Sequence, residues 1–163
     1  MEFKKFDKEL YNKADPLTNS LMANWLDKNV YTDIDLTETY GVDITCKKDN
    51  ITCYFETELS FSWKDDWPNY WLSIHVPYRK KKIIKDWVRK GSSDPLTFVM
   101  FRKNCKQAWF MDGQTVRDAP VKVIDTSIKK NDTFYCINVN DARLINMENI
   151  DVPENLINRK YPS

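Results

Sequence analysis

Residues 42 to 59 alternate between apolar and polar side chains in two segments, which are separated by Asp49 and Asn50. Alternation with a period of two indicates β-strands that each bury one face. Asp and Asn both tolerate the positive φ of a two-residue turn, so the sequence predicts a β-hairpin that pairs Lys48 with Ile51. The predicted apolar face consists of Val42, Ile44, Cys46, Ile51, Cys53, Phe55 and Leu59.

The other face of this hairpin collects carboxylates. It holds Asp43, Glu56 and Glu58, with Lys47 as its single base. Acids on the solvated face of an antiparallel sheet are common, and that is one interpretation. Like charges on facing strands nevertheless repel by on the order of 0.2–1 kcal/mol per pair. A divalent cation would remove this repulsion, because Mg²⁺ prefers oxygen ligands, so metal binding is the second interpretation.

A helix is predicted to follow Asp15, which suits an N-cap, and Pro16, which suits the first helical position. Leu17, Leu21 and Trp25 then form an apolar stripe at helical spacing. The remaining predicted elements are a strand at 70–77, a basic helix at 78–90 ended by Gly91, a strand pair at 95–104 and 106–116, and a last strand at 133–139. This order predicts one α/β domain over residues 1–163.

An acid on one strand followed by "ExE" on its hairpin partner resembles the PD-(D/E)XK nuclease superfamily. The stretch "YFETELSFSWKDDWPNYWLSIHVPYRKKK" is similar to phage-encoded members. The resemblance implies a restriction-endonuclease-like core, in which a helix, a three-strand antiparallel meander, a helix and a strand build a mixed central sheet. The strands beyond this core would be C-terminal additions.

The resemblance also implies roles for the acids. Asp43 and Glu56 would bind Mg²⁺ (or Mn²⁺). Glu58 stands where the superfamily usually has Lys, and would be a further ligand or orient the attacking water. The first helix of the superfamily often adds an acid, for which Asp15 and Glu9 are candidates, although an N-cap role is the favoured explanation of Asp15.

His75 and a basic run complete the candidate site. Alternation in the predicted third strand places His75 opposite its apolar neighbours, where it is a candidate catalytic residue; a structural role is the alternative. Arg79, Lys80 and Lys82 follow this strand and are predicted to contact phosphates, or else to form a solvated helix face. Three tryptophans could stack on bases or pack in the core, namely Trp63, Trp67 and Trp71.

Composition limits the cellular compartments and the partners that we expect for this protein. A net charge of +1 argues against a polycation, and no apolar run approaches the roughly 20 residues of a membrane span. The four cysteines form no CxxC pair and there is one histidine, which argues against structural zinc. The start "MEFKKFDKELYNK" is too charged for a secretory signal. We therefore expect a cytoplasmic protein with reduced thiols, located in the host cytoplasm if it is phage-encoded.

These features together predict a metal-dependent nuclease that hydrolyses phosphodiester bonds with Mg²⁺ or Mn²⁺. The expected partner is nucleic acid, with DNA preferred, and no membrane; a homodimer is compatible with the sequence. One alternative is a catalytically inactive nuclease-fold protein that binds nucleic acid or serves a structural role in a phage. Another is a protein–protein interaction module, such as an inhibitor of a host factor.

Overall fold

A computed structural model describes the backbone of residues 8–38, 41–126 and 130–150, and the side chains from residue 17 onward within these ranges. Helices and strands alternate along this part of the chain, which gives an α/β protein. The helices are α1 Lys8–Lys28, α2 Lys81–Arg89 and α3 Gly113–Asp118. The strands are β1 Thr32–Asp35, β2 Ile44–Lys48, β3 Ile51–Leu59, β4 Ser73–Pro77, β5 Leu96–Phe101, β6 Gln107–Asp112, β7 Val121–Ile124, β8 Asp132–Asn138 and β9 Arg143–Asn146.

The strands form two sheets. The larger sheet has the order β1-β2-β3-β5-β6-β9, and the smaller one has the order β4-β8-β7. The pairing of β3 with β5 is parallel and all other pairings are antiparallel, so the larger sheet is mixed, as predicted. Between β3 and β5 the chain leaves the larger sheet to form β4 and α2, because parallel neighbours need a crossover connection.

The hairpin prediction is confirmed. Strands β2 and β3 pair Lys48 with Ile51 and Cys46 with Cys53, in the predicted register. Asp49 and Asn50 have φ values of 52° and 65°, as a two-residue turn that follows the strand twist requires. Val42 is an exception to the predicted faces, because the chain bends before β2 begins and Val42 packs in the core on the opposite side of the sheet.

The larger sheet is buried on both faces. One face packs against α1, and the core between them includes Ile44 and Phe55 of the sheet and Leu21 of the helix. The other face packs against the smaller sheet and α2, through residues such as Phe98 and Ile74. The predicted polar face of the hairpin is therefore covered by a second layer, which the alternation of a single hairpin could not indicate.

Two predictions about the first half of the chain are wrong. Helix α1 begins at Lys8, so Asp15 and Pro16 lie inside the helix and Asp15 is not an N-cap. The strand predicted at 70–77 forms as β4, but it pairs with β8 in the smaller sheet and not with β3. The three-strand antiparallel meander is instead made by β1, β2 and β3. The sequence does not indicate β1, because this strand is short, partly exposed and without clear alternation.

Later elements agree better with the predictions. The basic segment begins as a 3₁₀ turn at Tyr78–Lys80 and continues as α2, and Gly91 follows the helix with a φ of 94°. Strands β5, β6 and β8 form as predicted, but the end of the predicted second strand of the pair is helix α3. None of the helices in the described residues combines the length and apolarity that crossing a membrane requires.

The end of α1 generates a stability prediction. Val30 N–H bonds to the Asp27 carbonyl at 3.2 Å and Tyr31 N–H bonds to the Leu26 carbonyl at 3.0 Å, which is a Schellman motif. Such a motif needs a left-handed residue after the helix, and Val30 takes that position with a φ of 68°. A branched side chain there is strained by roughly 1–2 kcal/mol, while glycine is not.

We expect Val30→Gly to raise the free energy of unfolding by up to about 1 kcal/mol, because the relief of strain exceeds the added entropy of the unfolded chain. Urea denaturation followed by circular dichroism measures this change. Val123→Gly, at an exposed valine in a strand, is the matched control and should destabilise. A loss of stability in both variants would show that Val30 is not strained.

Candidate functional site

The predicted acids lie where the hairpin meets the second layer. Asp43 immediately precedes β2, and Glu56 and Glu58 lie on the same face of β3. Each glutamate pairs with a residue of β5, Glu56 with Phe98 and Glu58 with Met100, so both lie in the interior half of the sheet. The 3₁₀ turn after β4 packs over this face and brings bases to the acids.

Glu56 is the buried centre of the site. Its side chain is 9% exposed, its Oε1 accepts a hydrogen bond from the backbone N–H of Asp43 at 3.0 Å, and its Oε2 accepts one from Lys80 Nζ at 2.5 Å. Burial raises the pKa of Glu56 to about 7, against the attraction of Lys80 and with the support of the neighbouring Asp43 carboxylate. The interpretation of these acids as a solvated face is therefore wrong for Glu56.

Asp43 is oriented by β3 and α1. Its Oδ2 accepts a hydrogen bond from the Thr57 N–H at 2.8 Å and lies 3.3 Å from the Thr57 hydroxyl. That hydroxyl is 2.6 Å from Asn19 Oδ1 and 3.1 Å from the Thr18 hydroxyl. Helix α1 thus reaches the site through Thr18 and Asn19, while the side chain of Asp15 lies outside the described part of the chain.

Two bases contact Glu58. Arg79 Nη2 lies 2.8 Å from Glu58 Oε1, and Lys80 Nζ lies 3.3 Å from Glu58 Oε2. The Lys80 side chain is only 7% exposed. Burial alone would lower the pKa of Lys80, but Glu58 and Glu56 outweigh it and the pKa is raised. Lys80 is therefore a buried ammonium group shared by two glutamates.

Glu38 is a fourth acid that the sequence did not identify. It lies in the loop between β1 and β2, with a φ of 60°. Burial raises the pKa of Glu38, and the adjacent Asp43 carboxylate raises it further. No periodic pattern includes a loop residue, and the only signal was an excess of acids over residues 28 to 66. We name Glu38, Asp43, Glu56 and Glu58 the carboxylate cluster.

The carboxylate cluster has the donor chemistry for Mg²⁺, which commonly takes one or two carboxylates together with water and phosphate. Asp43 and Glu56 are in direct contact, because the Asp43 N–H donates a hydrogen bond to Glu56 Oε1 at 3.0 Å, and the Asp43 carboxylate contributes to the raised pKa of Glu56. These two acids are therefore the candidate metal ligands that lie nearest to each other, and Glu58 joins them through Lys80.

The other predicted residues lie at different distances from the cluster. His75 points away from the buried face of β4, its Nε2 lies 3.2 Å from the Ser73 hydroxyl, and its ring packs on Phe134. Burial and the nearby Lys122 lower the pKa of His75. Within the described part of the chain His75 makes no hydrogen bond or ion pair with the carboxylate cluster, but His75 and Glu58 line one groove of about 510 Å³.

The predicted phosphate contacts separate into three environments. Arg79 is half-exposed on Glu58, Lys80 is buried in the carboxylate cluster, and Lys82 is exposed on α2. The alternative of a solvated helix face is wrong for Lys80. Trp63 is fully buried and packs in the core, while Trp67 and Trp71 are partly buried in the same aromatic group and line the groove beside Glu58.

All four cysteines are buried free thiols, and Cys46 and Cys53 lie in the core on the predicted apolar face of the hairpin. Burial raises the pKa of Cys46 to about 12, so this thiol is not a nucleophile near neutral pH.

No model of a known protein family matches this chain, and no curated protein matches it either. Conclusions about function therefore depend on the geometry of the carboxylate cluster and the surfaces around it.

The raised pKa of Glu56 predicts a pH dependence of stability. The folded protein keeps a proton on Glu56 up to about pH 7, whereas the unfolded chain releases it near the ordinary glutamate pKa of 4.5. Between these values the folded state binds more protons, so the free energy of unfolding falls as pH rises. The fall attributable to Glu56 is on the order of 2–3 kcal/mol.

Urea denaturation in EDTA between pH 4.5 and 7.5 measures this fall, as the difference between the parent protein and Glu56→Gln. We expect the variant to lose less stability across the window, because its amide does not titrate. Glu148→Gln, at an exposed loop position, is the control and should follow the parent protein. Parallel pH profiles for the parent and Glu56→Gln would contradict the raised pKa.

Proposed function

We propose that this protein is a metal-dependent nuclease that hydrolyses phosphodiester bonds in DNA. The observation that carries the proposal is the position of the Lys80 ammonium between Glu56 and Glu58, next to Asp43. Two acids on adjacent strands with a lysine beside them reproduce the chemical groups of a PD-(D/E)XK site. The lysine simply comes from a different element, the turn before α2.

The order of elements supports the same proposal. Helix α1, the antiparallel strands β1, β2 and β3, helix α2, and strand β5 parallel to β3 follow the order that a restriction-endonuclease-like core has. Asp43 stands at the start of β2, and Glu56 and Glu58 are on β3, which are the motif positions of that superfamily. Strand β4 and the smaller sheet are then insertions and additions to the core.

The proposed roles follow from the contacts of each residue. Asp43 and Glu56 would hold the Mg²⁺ ion, which supplies an activated water and neutralises charge on the phosphate when bound. Thr57 keeps the Asp43 carboxylate in place through its N–H. Lys80 places a positive charge where negative charge develops on the phosphate oxygens. Glu58, held by Arg79, would orient the attacking water or accept a proton from it.

The protonation of Glu56 sets the pH range. A carboxylate binds a metal ion in its deprotonated form, and the pKa of Glu56 is raised to about 7. Metal binding therefore competes with a proton below this pH, and activity should rise from acidic to mildly alkaline pH.

A nuclease-fold protein that binds nucleic acid without cleaving it is the second candidate. Lys80 and Arg79 already neutralise Glu56 and Glu58, and a site satisfied by its own bases has less need of a metal ion. Such a protein would bind DNA equally with and without divalent ions.

A cleavage assay on plasmid and branched DNA with Mg²⁺ or Mn²⁺, beside EDTA, tests the proposed function. We expect cleavage only with the ion, and a loss of more than about 100-fold in Asp43→Asn, because each metal contact stabilises the transition state by several kcal/mol. Glu148→Gln should cleave like the parent protein. DNA binding without cleavage under all conditions would favour the second candidate.

The shared ammonium generates a further prediction, a charge exchange. Glu58→Lys alone should abolish cleavage, because it brings a third cation next to Lys80 and Arg79. Adding Lys80→Glu restores one acid and one base at these two positions. The double variant then has the superfamily's usual lysine at position 58. We expect the double variant to recover part of the activity, measured as initial cleavage rate. Full activity in Glu58→Ala would mean that Glu58 has no part in the reaction.

A further inference from the structure

A second groove of about 490 Å³ lies between α2 and the smaller sheet, on the other side of the 3₁₀ turn from the interior of the site. Its floor is apolar and aromatic, and its rim is basic. We name it the basic groove, and it is lined by Tyr78, Lys81, Ile84, Lys85, Val88, Arg89, Arg117, Val121 and Tyr135.

All the charged residues that line the basic groove are cations. Lys81, Lys85 and Arg89 recur every fourth residue on one face of α2, about 6 Å apart along the helix axis. Arg117 of α3 adds a fourth cation, and no acid lines the groove. Only Arg89 has an acidic partner among the described residues, Asp86, and that pair is exposed. Because the whole chain carries a net charge of +1, this concentration of positive charge is local.

The opposite face of α2 differs. The pocket there contains Lys90 together with Asp86 and Asp94, so its charges are mixed. Lys82 is exposed and lines neither the pocket nor the basic groove. The helix thus presents lysines on two faces, but only one face forms a concave surface without acids.

We propose that the basic groove binds the phosphate backbone of a nucleic-acid strand and leads it to the carboxylate cluster. Tyr78 lines the groove and begins the turn whose next two residues, Arg79 and Lys80, contact Glu58 and Glu56. The residues that would hold a strand, Lys81 and Lys85, thus follow directly in the chain on the two bases that contact the cluster. The second half of the proposal rests on the proposed nuclease function; the binding of phosphates does not.

A row of cations over an apolar floor suits a polyanion with aromatic groups. The phosphates would meet the rim, and bases would contact Tyr78, which lines the groove and is partly exposed, while the buried Tyr135 packs against it. The side chain of Lys81 already lies over the Tyr78 ring, 5.2 Å from its centroid, and is positioned by it. An acidic peptide would interact with the basic rim but not with the aromatic floor. It is the competing ligand that the experiment must distinguish from nucleic acid.

The test compares two pairs of lysines on the same helix. Lys81→Ala with Lys85→Ala removes two charges from the basic groove, and Lys82→Ala with Lys90→Ala removes two charges that do not line it. Binding of the full chain to a labelled DNA single strand and to its duplex is measured in EDTA across a range of salt concentrations. Polyglutamate of matched charge is the competitor.

We expect the first pair to weaken DNA binding about tenfold and to reduce the slope of log Kd against log salt by about two, because two phosphate contacts are lost. The second pair should change neither value appreciably. Lys85→Gln with Arg117→Gln leaves the Lys81–Tyr78 contact intact and should weaken binding similarly, which keeps the test valid if the alanine pair unfolds.

Equal losses in the two lysine pairs would overturn the proposal, because binding would then follow net charge and not the groove. So would a parent protein that binds no DNA, or one from which polyglutamate displaces DNA at equal or lower concentration. Binding in EDTA is independent of cleavage. A groove effect on binding in a protein that never cleaves would therefore refute the nuclease proposal and leave phosphate binding intact. Cleavage unaffected by groove variants that weaken binding would refute the delivery of the strand to the cluster and leave the nuclease proposal intact.

Discussion

The buried ion pair between Lys80 and Glu56 holds the molecule together where its two layers meet. Glu56 belongs to β3, the second strand of the hairpin. Lys80 belongs to the 3₁₀ turn that follows β4, an edge strand of the smaller sheet. Removing one partner of such a pair leaves an uncompensated charge, which costs about 3–5 kcal/mol. The same contact that joins the layers thus also determines the charge state of the candidate site.

The site depends on β3 being buried on both faces. Phe55 on one face of the strand packs with α1, while Glu56 on the other faces the second core. Burial takes water away from Glu56 and raises its pKa, against the attraction of Lys80. The pKa of Lys80 rises for a different reason, because the attraction of Glu58 and Glu56 outweighs the effect of burial. A hairpin with one solvated face would have offered ordinary acids with ordinary titration.

The bases at the start of α2 lie in two different environments. Arg79 and Lys80 are engaged by carboxylates, whereas Lys81 and Lys85 face a groove without acids, although these residues are adjacent in the chain. A 3₁₀ turn followed directly by a helix sends successive side chains in different directions. One run of basic residues can therefore stabilise an anionic site and offer a surface to polyanions.

The sequence by itself determined the local elements of this protein. Alternation and the Asp49-Asn50 turn specified the hairpin and its register, and Gly91 marked the end of α2, because these signals act between neighbours along the chain. Only the tertiary structure decided that β4 joins β8 and that Glu38 and Lys80 meet Asp43 and Glu56. Such partners are set by which faces can be buried together, and periodicity within one segment carries no information about a distant one.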